Sequence, residues 1–351
     1  MPLSQQQIEK ISHEVIKTLV TRFDNFPEDA TNNRNAPFHE SFLKAFSDKL
    51  NGKVSDVPFF ISLSSWLQGL NTTLGQTFFE NIAHHLSDGE KREYTSRKLG
   101  NLQVTQRQKD NISTIITNLS NSVVLPNLAN ENQQIFQVFD SPLVNALDFS
   151  ADVFFEDNTS ITAIELKSVK PNSGEMRGEK QKILEGKAAL YRRFPGKQIK
   201  FSIGFPFDPT VNPANEPVTS SNKPRFLGSI INMNKYFEQN ESLVASELWN
   251  LLSGQQNTME QILTIINTIS TTQFQNKFQF LCDNTKRTDP NYITQLTEWN
   301  LFSEIELINN NAAILQSIGR NSVLTRIYNK TAFDSKGNYN TDRYNELVNL
   351  F

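Results

Sequence analysis

The sequence predicts an α/β fold, because helical and extended patterns alternate along its middle third. Before Leu125, apolar residues recur every three or four positions, as in QQQIEKISHEVIKTLVTRF at residues 5–23, which is typical of amphipathic helices. After Leu125, short runs of aromatic and β-branched residues indicate strands. The resulting order is helix, strand, strand, strand, helix, strand. This order predicts a mixed central sheet flanked by helices.

Each element follows from its local pattern. Helices are expected at residues 5–23, 39–50, 72–86, 108–120 and 178–193, and strands at 135–139, 151–155, 161–169 and 199–205. A Pro-rich segment at 206–225 predicts either a domain boundary or a functional flap. Beyond it, MEQILTIINTI and LFSEIELINNNAAILQSIG predict helices, the second interrupted at its asparagine run.

The chain is expected to form one domain over residues 1–351 rather than two independent domains. Its core would span about 72–230, with helical additions at 1–71 and 231–351. No internal repeat or heptad array suggests another organisation. We therefore predict an α/β core with helical N- and C-terminal additions.

Composition narrows the class of protein. The 351 residues are 37% hydrophobic and 20% charged, and no uncharged apolar run approaches the roughly 18 residues of a membrane span. The N-terminus lacks the pattern of a secretory signal, so we expect no membrane partner. The single cysteine, Cys282, excludes an internal disulfide or a cysteine-based zinc site and fits the reducing cytoplasm.

Charge is unevenly distributed along the chain. The net charge is −3, yet residues 165–200 contain ten Lys and Arg against four Glu. A run of this kind predicts either a solvated helix face or a surface that follows the phosphates of a nucleic acid.

The stretch ADVFFEDNTSITAIELKSVK at residues 151–170 predicts a β-hairpin with a turn at 156–159. If the turn contains an even number of residues, paired positions have numbers that sum to 315, and Asp152 lies opposite Ala163. Residues that face each other across an antiparallel pair lie on the same side of the sheet. The side of Asp152 then continues along the second strand.

That side continues to Glu165 and Lys167, because side chains alternate along a strand. An even turn therefore brings Asp152, Glu165 and Lys167 together. A turn of odd length would place Asp152 on the opposite side, and Asp148 would be the nearest acid to replace it.

The three side chains suit metal-dependent phosphodiester hydrolysis. Carboxylate and carbonyl oxygens are ligands that Mg²⁺ prefers, so Asp152, Glu165 and the carbonyl of Leu166 would bind it, with Mn²⁺ able to substitute. Lys167 would orient or deprotonate the attacking water and offset charge in the transition state. The alternative is a solvent-facing hairpin with a salt link between its strands.

The stretch ELKSVKPNSGEMRGEKQKILEGKAALYRRFPGKQIKFSIGFPFDP, residues 165–209, resembles type II restriction endonucleases of the TdeIII group, which belong to the PD-(D/E)XK nuclease superfamily. Weaker similarities lie at residues 35–43, 72–83 and 280–288. The superfamily signature falls on Asp152 and on Glu165-Leu-Lys167, although Ala151 stands where proline is usual.

The resemblance implies a restriction-endonuclease-like PD-(D/E)XK core and an Mg²⁺-dependent type II restriction endonuclease. Such an enzyme would act as a homodimer on double-stranded DNA and leave 5′-phosphates. Members of the group cut at GGNCC, so a similar short palindrome is expected. Two alternatives stay open, namely a structure-selective repair or recombination nuclease of the same fold and a non-catalytic DNA-binding module.

Further site residues are expected on the helices around the sheet. The superfamily often adds a glutamate from the helix before the sheet, and Glu80 is the candidate. Arginine can bind guanine and lysine can bind phosphate, so DNA contacts are expected near the start of the basic helix, from Arg177, Glu179, Lys180 and Lys182. The alternative there is a solvated helix face. His84 and His85 are expected as surface or packing residues.

Overall fold

The computed structural model describes residues 2–27, 37–54, 56–137, 140–167 and 175–351, and these divide into two compact units. The first, here the sheet unit, contains the N-terminal residues up to Leu3 together with Phe79–Gln261. The second, here the helical unit, contains Ser4–Phe78 and Ile262–Phe351. The predicted helical additions at the two ends thus form one unit together, and the sheet unit extends past the predicted end at residue 230.

Helices account for most of the regular structure. In chain order they are α1 (Gln5–Phe23), α2 (Pro37–Leu43), α3 (Ser47–Leu50), α4 (Val57–Thr73), α5 (Phe79–Ser87), α6 (Gln106–Ser120), α7 (Leu128–Ile135), α8 (Glu175–Arg193), α9 (Lys223–Gly228), α10 (Met233–Tyr236), α11 (Ser246–Ser253), α12 (Thr258–Ile269), α13 (Phe274–Cys282), α14 (Pro290–Glu298), α15 (Phe302–Asn309), α16 (Asn311–Ile318), α17 (Ser322–Tyr328) and α18 (Thr341–Val348). Within the described ranges, every helix is too short or too polar to cross a bilayer.

Within the part of the chain that the structure describes, the strands all lie in the sheet unit. They are β1 (Glu90–Tyr94), β2 (Gln103–Thr105), β3 (Leu143–Asn145), β4 (Phe149–Glu156), β5 (Ser160–Leu166), β6 (Gln198–Phe205) and β7 (Ser242–Val244). The main sheet has the order β1-β4-β5-β6-β7, antiparallel from β1 to β5 and parallel from β5 to β7, while β2 and β3 form a separate antiparallel pair. The predicted mixed sheet flanked by helices is confirmed.

The hairpin of β4 and β5 has an even turn, as predicted, but its register differs by two residues. Ala163 pairs with Phe154 rather than with Asp152, so paired positions have numbers that sum to 317 rather than 315. Continued to the end of β5, this register would set Asp152 opposite Glu165. The predicted meeting of these two acids thus survives the corrected register.

Asp157 determines where the turn lies. Its Oδ1 accepts hydrogen bonds from the backbone amides of Thr159 and Ser160, at 2.7 and 2.8 Å. An aspartate that bonds amides two and three residues ahead is a common turn-forming arrangement. It moves the centre of the turn one residue beyond the predicted position, which accounts for the change of register.

A bulge interrupts β4 at Asp152. Glu90 of β1 pairs with Phe154, whereas Arg92 pairs with Ala151, so β4 contains one residue more than β1 over this interval. The extra residue lies at Asp152 or Val153, where the recorded pairing with β5 also ends. A bulge bends its strand and redirects a side chain out of the regular alternation. Here the side chain of Asp152 bonds the neighbouring strand, since its Oδ2 accepts the backbone amide of Leu166 at the end of β5.

α8 packs closely on the sheet at Gly186. A Cβ atom at this position would lie 2.8 Å from the ring of Phe201 on β6 and 3.2 Å from that of Phe149 on β4. Only a residue without a side chain permits this approach. The close packing fixes α8 over the sheet and positions the start of the helix beside the end of β5.

Two parts of the sheet unit differ from the sequence prediction. Ile135 ends α7 instead of starting a strand; this helix begins at the cap residue Asn127, which accepts the amide of Asn130. Residues 138–139 lie outside the described ranges, as do 168–169 of the predicted strand at 161–169. The edge strand β1 was not predicted, since EKREY has too few apolar residues to show a strand pattern.

Candidate active site

Three carboxyl groups come together where β5 ends, next to the bulge of β4 and to α5. Glu80 lies on α5, Asp152 at the bulge of β4 and Glu165 near the end of β5. Burial raises the pKa of both glutamates, and the negative charge of Asp152 raises the pKa of each further. Contacts place them together as well, because Nζ of Lys91 lies near both Glu80 and Asp152, and Asp152 accepts the amide of Leu166, the residue after Glu165. The structure therefore brings Glu80, which the sequence placed only on a polar helix side, to the predicted pair.

Asp152 is held on both sides by backbone bonds. Its Oδ2 accepts the amide of Leu166 at 2.9 Å, and its carbonyl oxygen lies 2.7 Å from Nε2 of His84. Because a carbonyl only accepts, the imidazole must donate through Nε2. Asp152 is 8% exposed. His84 was expected as a surface or packing residue, and here it fixes the backbone of the central acid.

Glu165 is paired with two lysines. Its Oε1 lies 2.9 Å from Nζ of Lys182 on α8 and 3.4 Å from Nζ of Lys167. Burial and the charge of Asp152 raise its pKa, and these lysines oppose the rise without cancelling it. The carboxyl is thus more basic than an exposed glutamate.

Lys167 lies among three acids, since its Nζ is 3.1 Å from Glu179, 3.4 Å from Glu165 and 3.6 Å from Glu175. Burial alone would lower the pKa of Lys167, but the neighbouring carboxylates outweigh it and leave the pKa raised. The side chain therefore carries an ammonium group at neutral pH.

Lys91 completes the site, although it was not predicted. Its Nζ lies 3.0 Å from Oδ1 of Asp152 and 3.2 Å from each oxygen of Glu80. These contacts outweigh burial and raise the pKa of Lys91. The only signal in the sequence was its place in a short charged stretch after the helix that carries Glu80, which does not reveal pairing with the hairpin.

The sequence of the chain also matches known proteins. A family model described as "Type II restriction endonuclease, HinfI" matches residues 3–270. The chain belongs to the HinfI family of type II restriction endonucleases. It is also 41% identical over 373 aligned positions to the type II restriction enzyme MjaII of Methanocaldococcus jannaschii, with 100% of this chain and 98% of the relative covered. The predicted type II restriction endonuclease, a site-specific DNA endonuclease, is confirmed, and the family named by the match is that of HinfI.

The residues predicted to contact DNA in this HinfI-family enzyme fall into different environments. Arg177 is exposed at the start of α8, where its Nε donates to Ser120 at 3.3 Å. Glu179 and Lys182 instead point into the site, where their side chains lie 3.4 Å apart and contact Lys167 and Glu165. Through these contacts, the two residues hold the side chains of Lys167 and Glu165 in position.

Lys180 requires a correction. Its side chain is fully buried, and its ammonium lies 2.5 Å from Glu131 and 2.6 Å from Glu241. An enclosed ammonium paired in this way has no surface to offer a phosphate. The basic run predicted a DNA contact because pattern alone does not separate the buried and exposed sides of α8.

The donor chemistry of the site suits Mg²⁺. Glu80, Asp152 and Glu165 supply only oxygen ligands, which this cation prefers, and they are partly withdrawn from water. Among the residues that the structure describes, however, no three acidic, histidine or cysteine side chains already surround a point where an ion could bind. The lysines explain this arrangement, because Lys91 and Lys182 each occupy carboxylate oxygens that a metal would use.

Proposed function

We propose that this HinfI-family endonuclease cleaves duplex DNA by Mg²⁺-dependent hydrolysis at a PD-(D/E)XK-type site. Asp152 and Glu165 would hold the metal with the carbonyl of Leu166, and Glu80 would assist them. The convergence of three carboxyl groups with the ammonium of Lys167 at the end of β5 is the observation that carries the proposal. Mn²⁺ is expected to substitute for Mg²⁺.

The protein side chains have distinct tasks in this reaction. Mg²⁺, when bound, polarises the phosphate and makes a bound water more acidic. Lys167 donates hydrogen bonds to the attacking water and offsets negative charge on the phosphate. Its raised pKa favours this role over proton abstraction. Water adds to phosphorus as the 3′ oxygen departs; the water releases a proton to solvent and the 3′ oxygen takes one up, which leaves a 5′-phosphate and a 3′-hydroxyl.

Glu179 and Glu175 support that chemistry by holding Lys167. Both lie at the start of α8 and approach the ammonium of Lys167, at 3.1 and 3.6 Å. They limit the directions that the lysine side chain can take. Arg177, exposed in the same turn of α8, is the predicted DNA contact that remains available to a phosphate or a base.

The substrate we propose is a short palindrome of the GGNCC type, read by a homodimer. The site sequence rests on the resemblance to the TdeIII group, and a two-fold dimer places one active site on each strand of a symmetric sequence. The enzyme is expected to work in the reducing cytoplasm. Burial raises the pKa of Cys282 to about 11, so this thiol is protonated and unreactive there.

One digestion tests activity, site and products together. Plasmid DNA of known sequence is incubated with the enzyme and Mg²⁺, with EDTA as the control, and the fragment ends are sequenced. We expect discrete bands whose ends share one palindrome and carry 5′-phosphates. A smear or structure-dependent nicking would favour a repair nuclease. Light scattering on the purified enzyme measures its molar mass and so tests for the dimer.

Two substitutions test the residues. Asp152→Asn and Lys167→Ala should each lower the cleavage rate by at least about a thousandfold, since both act on the reacting phosphate. DNA affinity measured in EDTA should change little. Specific cutting by both purified variants at the wild-type rate would refute the assignment.

A further inference from the structure

Lys91 holds the position between two proposed metal ligands. Its ammonium contacts one oxygen of Asp152 and both oxygens of Glu80, at 3.0 to 3.2 Å. The two acids come from different elements, α5 and β4, and Lys91 reaches them from a third, β1. The lysine thus bridges the carboxylates in the way that a shared cation would.

The balance of charges in this cluster favours binding of a divalent cation. Five carboxylates of the described residues meet three ammonium groups in this cluster, namely those of Glu80, Asp152, Glu165, Glu175 and Glu179 with Lys91, Lys167 and Lys182. When all are ionised, these carboxylates outnumber the ammonium groups of the cluster by two. One divalent cation would neutralise the cluster while all three lysines stay charged.

Of the three lysines, Lys91 has the most freedom to leave. Its side chain is 38% exposed, against 18% for Lys167 and 20% for Lys182. The latter two are also held by Glu179 on α8, which lies outside the metal ligands. Lys91 reaches its acids from β1 at the sheet edge, with solvent beside it.

We propose that Lys91 is a resident cation that competes with the divalent metal for Asp152 and Glu80, and that its ammonium moves off these carboxylates when the metal binds. The inference rests on the proposed metal-dependent function. Two cations sharing the same oxygens would lie within a few ångströms and repel each other. In the DNA-free enzyme Lys91 therefore weakens metal binding and keeps the acids from repelling one another.

Metal affinity without DNA measures this competition. Mn²⁺ alone is titrated by calorimetry into the wild type and into Lys91→Met, which keeps the length of the side chain but removes its charge. We expect Mn²⁺ to bind the variant about tenfold more tightly, the effect of one partly exposed ion pair. Lys91→Arg should bind Mn²⁺ no more tightly than the wild type.

Lys98→Met is the matched control. It removes the same charge from a 64% exposed lysine that pairs with Glu93 at 3.6 Å, away from the site acids. Its Mn²⁺ affinity should equal that of the wild type, and circular dichroism verifies the fold of each variant. If Lys91→Met loses its fold, Lys91→Gln takes its place.

The outcomes separate the two proposals. Equal or weaker Mn²⁺ binding by Lys91→Met, with binding lost in Asp152→Asn, would overturn the competition and leave the metal site intact. An equal increase of Mn²⁺ affinity in Lys98→Met would show that net charge alone causes the effect, and it would also overturn the competition. Unchanged binding by Asp152→Asn would remove the metal site itself, and the competition with it.

Discussion

Substitution of Lys180 by methionine breaks a charge network inside the sheet unit. The fully buried ammonium lies 2.5 Å from Glu131, and 2.6 and 2.8 Å from the two oxygens of Glu241. Lys187 approaches Glu241 at 3.4 Å. Two acids and two lysines thus balance each other in the interior. Methionine fits the space of the lysine stem but leaves Glu131 without its cation.

The expected loss follows from these contacts. Removing one partner of a buried ion pair costs about 3–5 kcal/mol. Glu241 keeps Lys187, and Glu131 can take up a proton because burial already raises its pKa. We therefore expect a loss near the lower end, about 3 kcal/mol in the free energy of unfolding at pH 7.

The pH dependence has a definite sign. An acid whose pKa is raised in the folded state favours folding at low pH and loses that contribution as pH rises through the folded pKa. Without Lys180, the pKa of Glu131 should rise further. The destabilisation by Lys180→Met should therefore be smaller at pH 5 than at pH 8.

Urea unfolding checks these values in a background where only one tryptophan remains. Trp66 and Trp299, in the helical unit, are replaced by phenylalanine, so that buried Trp249 reports on the sheet unit. The control is Lys197→Met, whose exposed pair with Glu156 at 3.3 Å should contribute less than about 1 kcal/mol.

Two results would refute the reasoning. One is a loss for Lys180→Met of less than about 1 kcal/mol, no larger than that of an exposed pair. The other is a salt dependence of DNA affinity with a slope reduced by about one, the effect of a removed phosphate contact. The buried position of Lys180 predicts an unchanged slope.

Two further predictions concern the sheet unit. Gly186→Ala should lower the free energy of unfolding by about 1–3 kcal/mol, because the new Cβ would meet the ring of Phe201 at 2.8 Å. In the control Gly178→Ala, in the same helix, the new Cβ meets nothing within 4 Å, and the free energy of unfolding should rise by about 0.5–1 kcal/mol. Equal effects of the two substitutions in urea unfolding would contradict this. Hydrogen bonds from Arg225 lower the pKa of Glu216 from 4.5 to about 2, so the stabilisation is present above pH 4.5 and is lost as pH falls toward 2. Acid unfolding should therefore depend less on pH in Glu216→Gln, and an NMR titration that finds Glu216 near 4.5 would exclude the effect.

The sequence was sufficient to predict the hairpin and the side of the sheet on which its acids lie. Alternation along strands correctly brought Asp152, Glu165 and Lys167 to one place, since parity survives a register error of two residues. The sequence pattern did not reveal the bulge, because a bulge has no periodicity of its own in the sequence. Lys91 was missed for a related reason, as its strand is too charged to be recognised from periodicity.

The sequence also did not reveal which side chains of α8 are buried. Lys180 and Lys182 are two positions apart in one basic run, yet the first is enclosed and the second points into the site. Which side of a basic helix faces inward depends on acids that arrive from distant segments, here Glu131 and Glu241. Composition cannot supply those partners.

The helical unit is assembled from the two ends of the chain, and this affects how a newly made chain folds. Glu9 of α1 accepts hydrogen bonds from the amide and hydroxyl of Ser303, at 2.7 and 2.8 Å. During synthesis the contacts of α1 with Ile262–Phe351 can form only after that segment emerges, about 5–20 s after Gln261 is added. The nuclease sheet can form in that interval, before the helical unit has all of its helices.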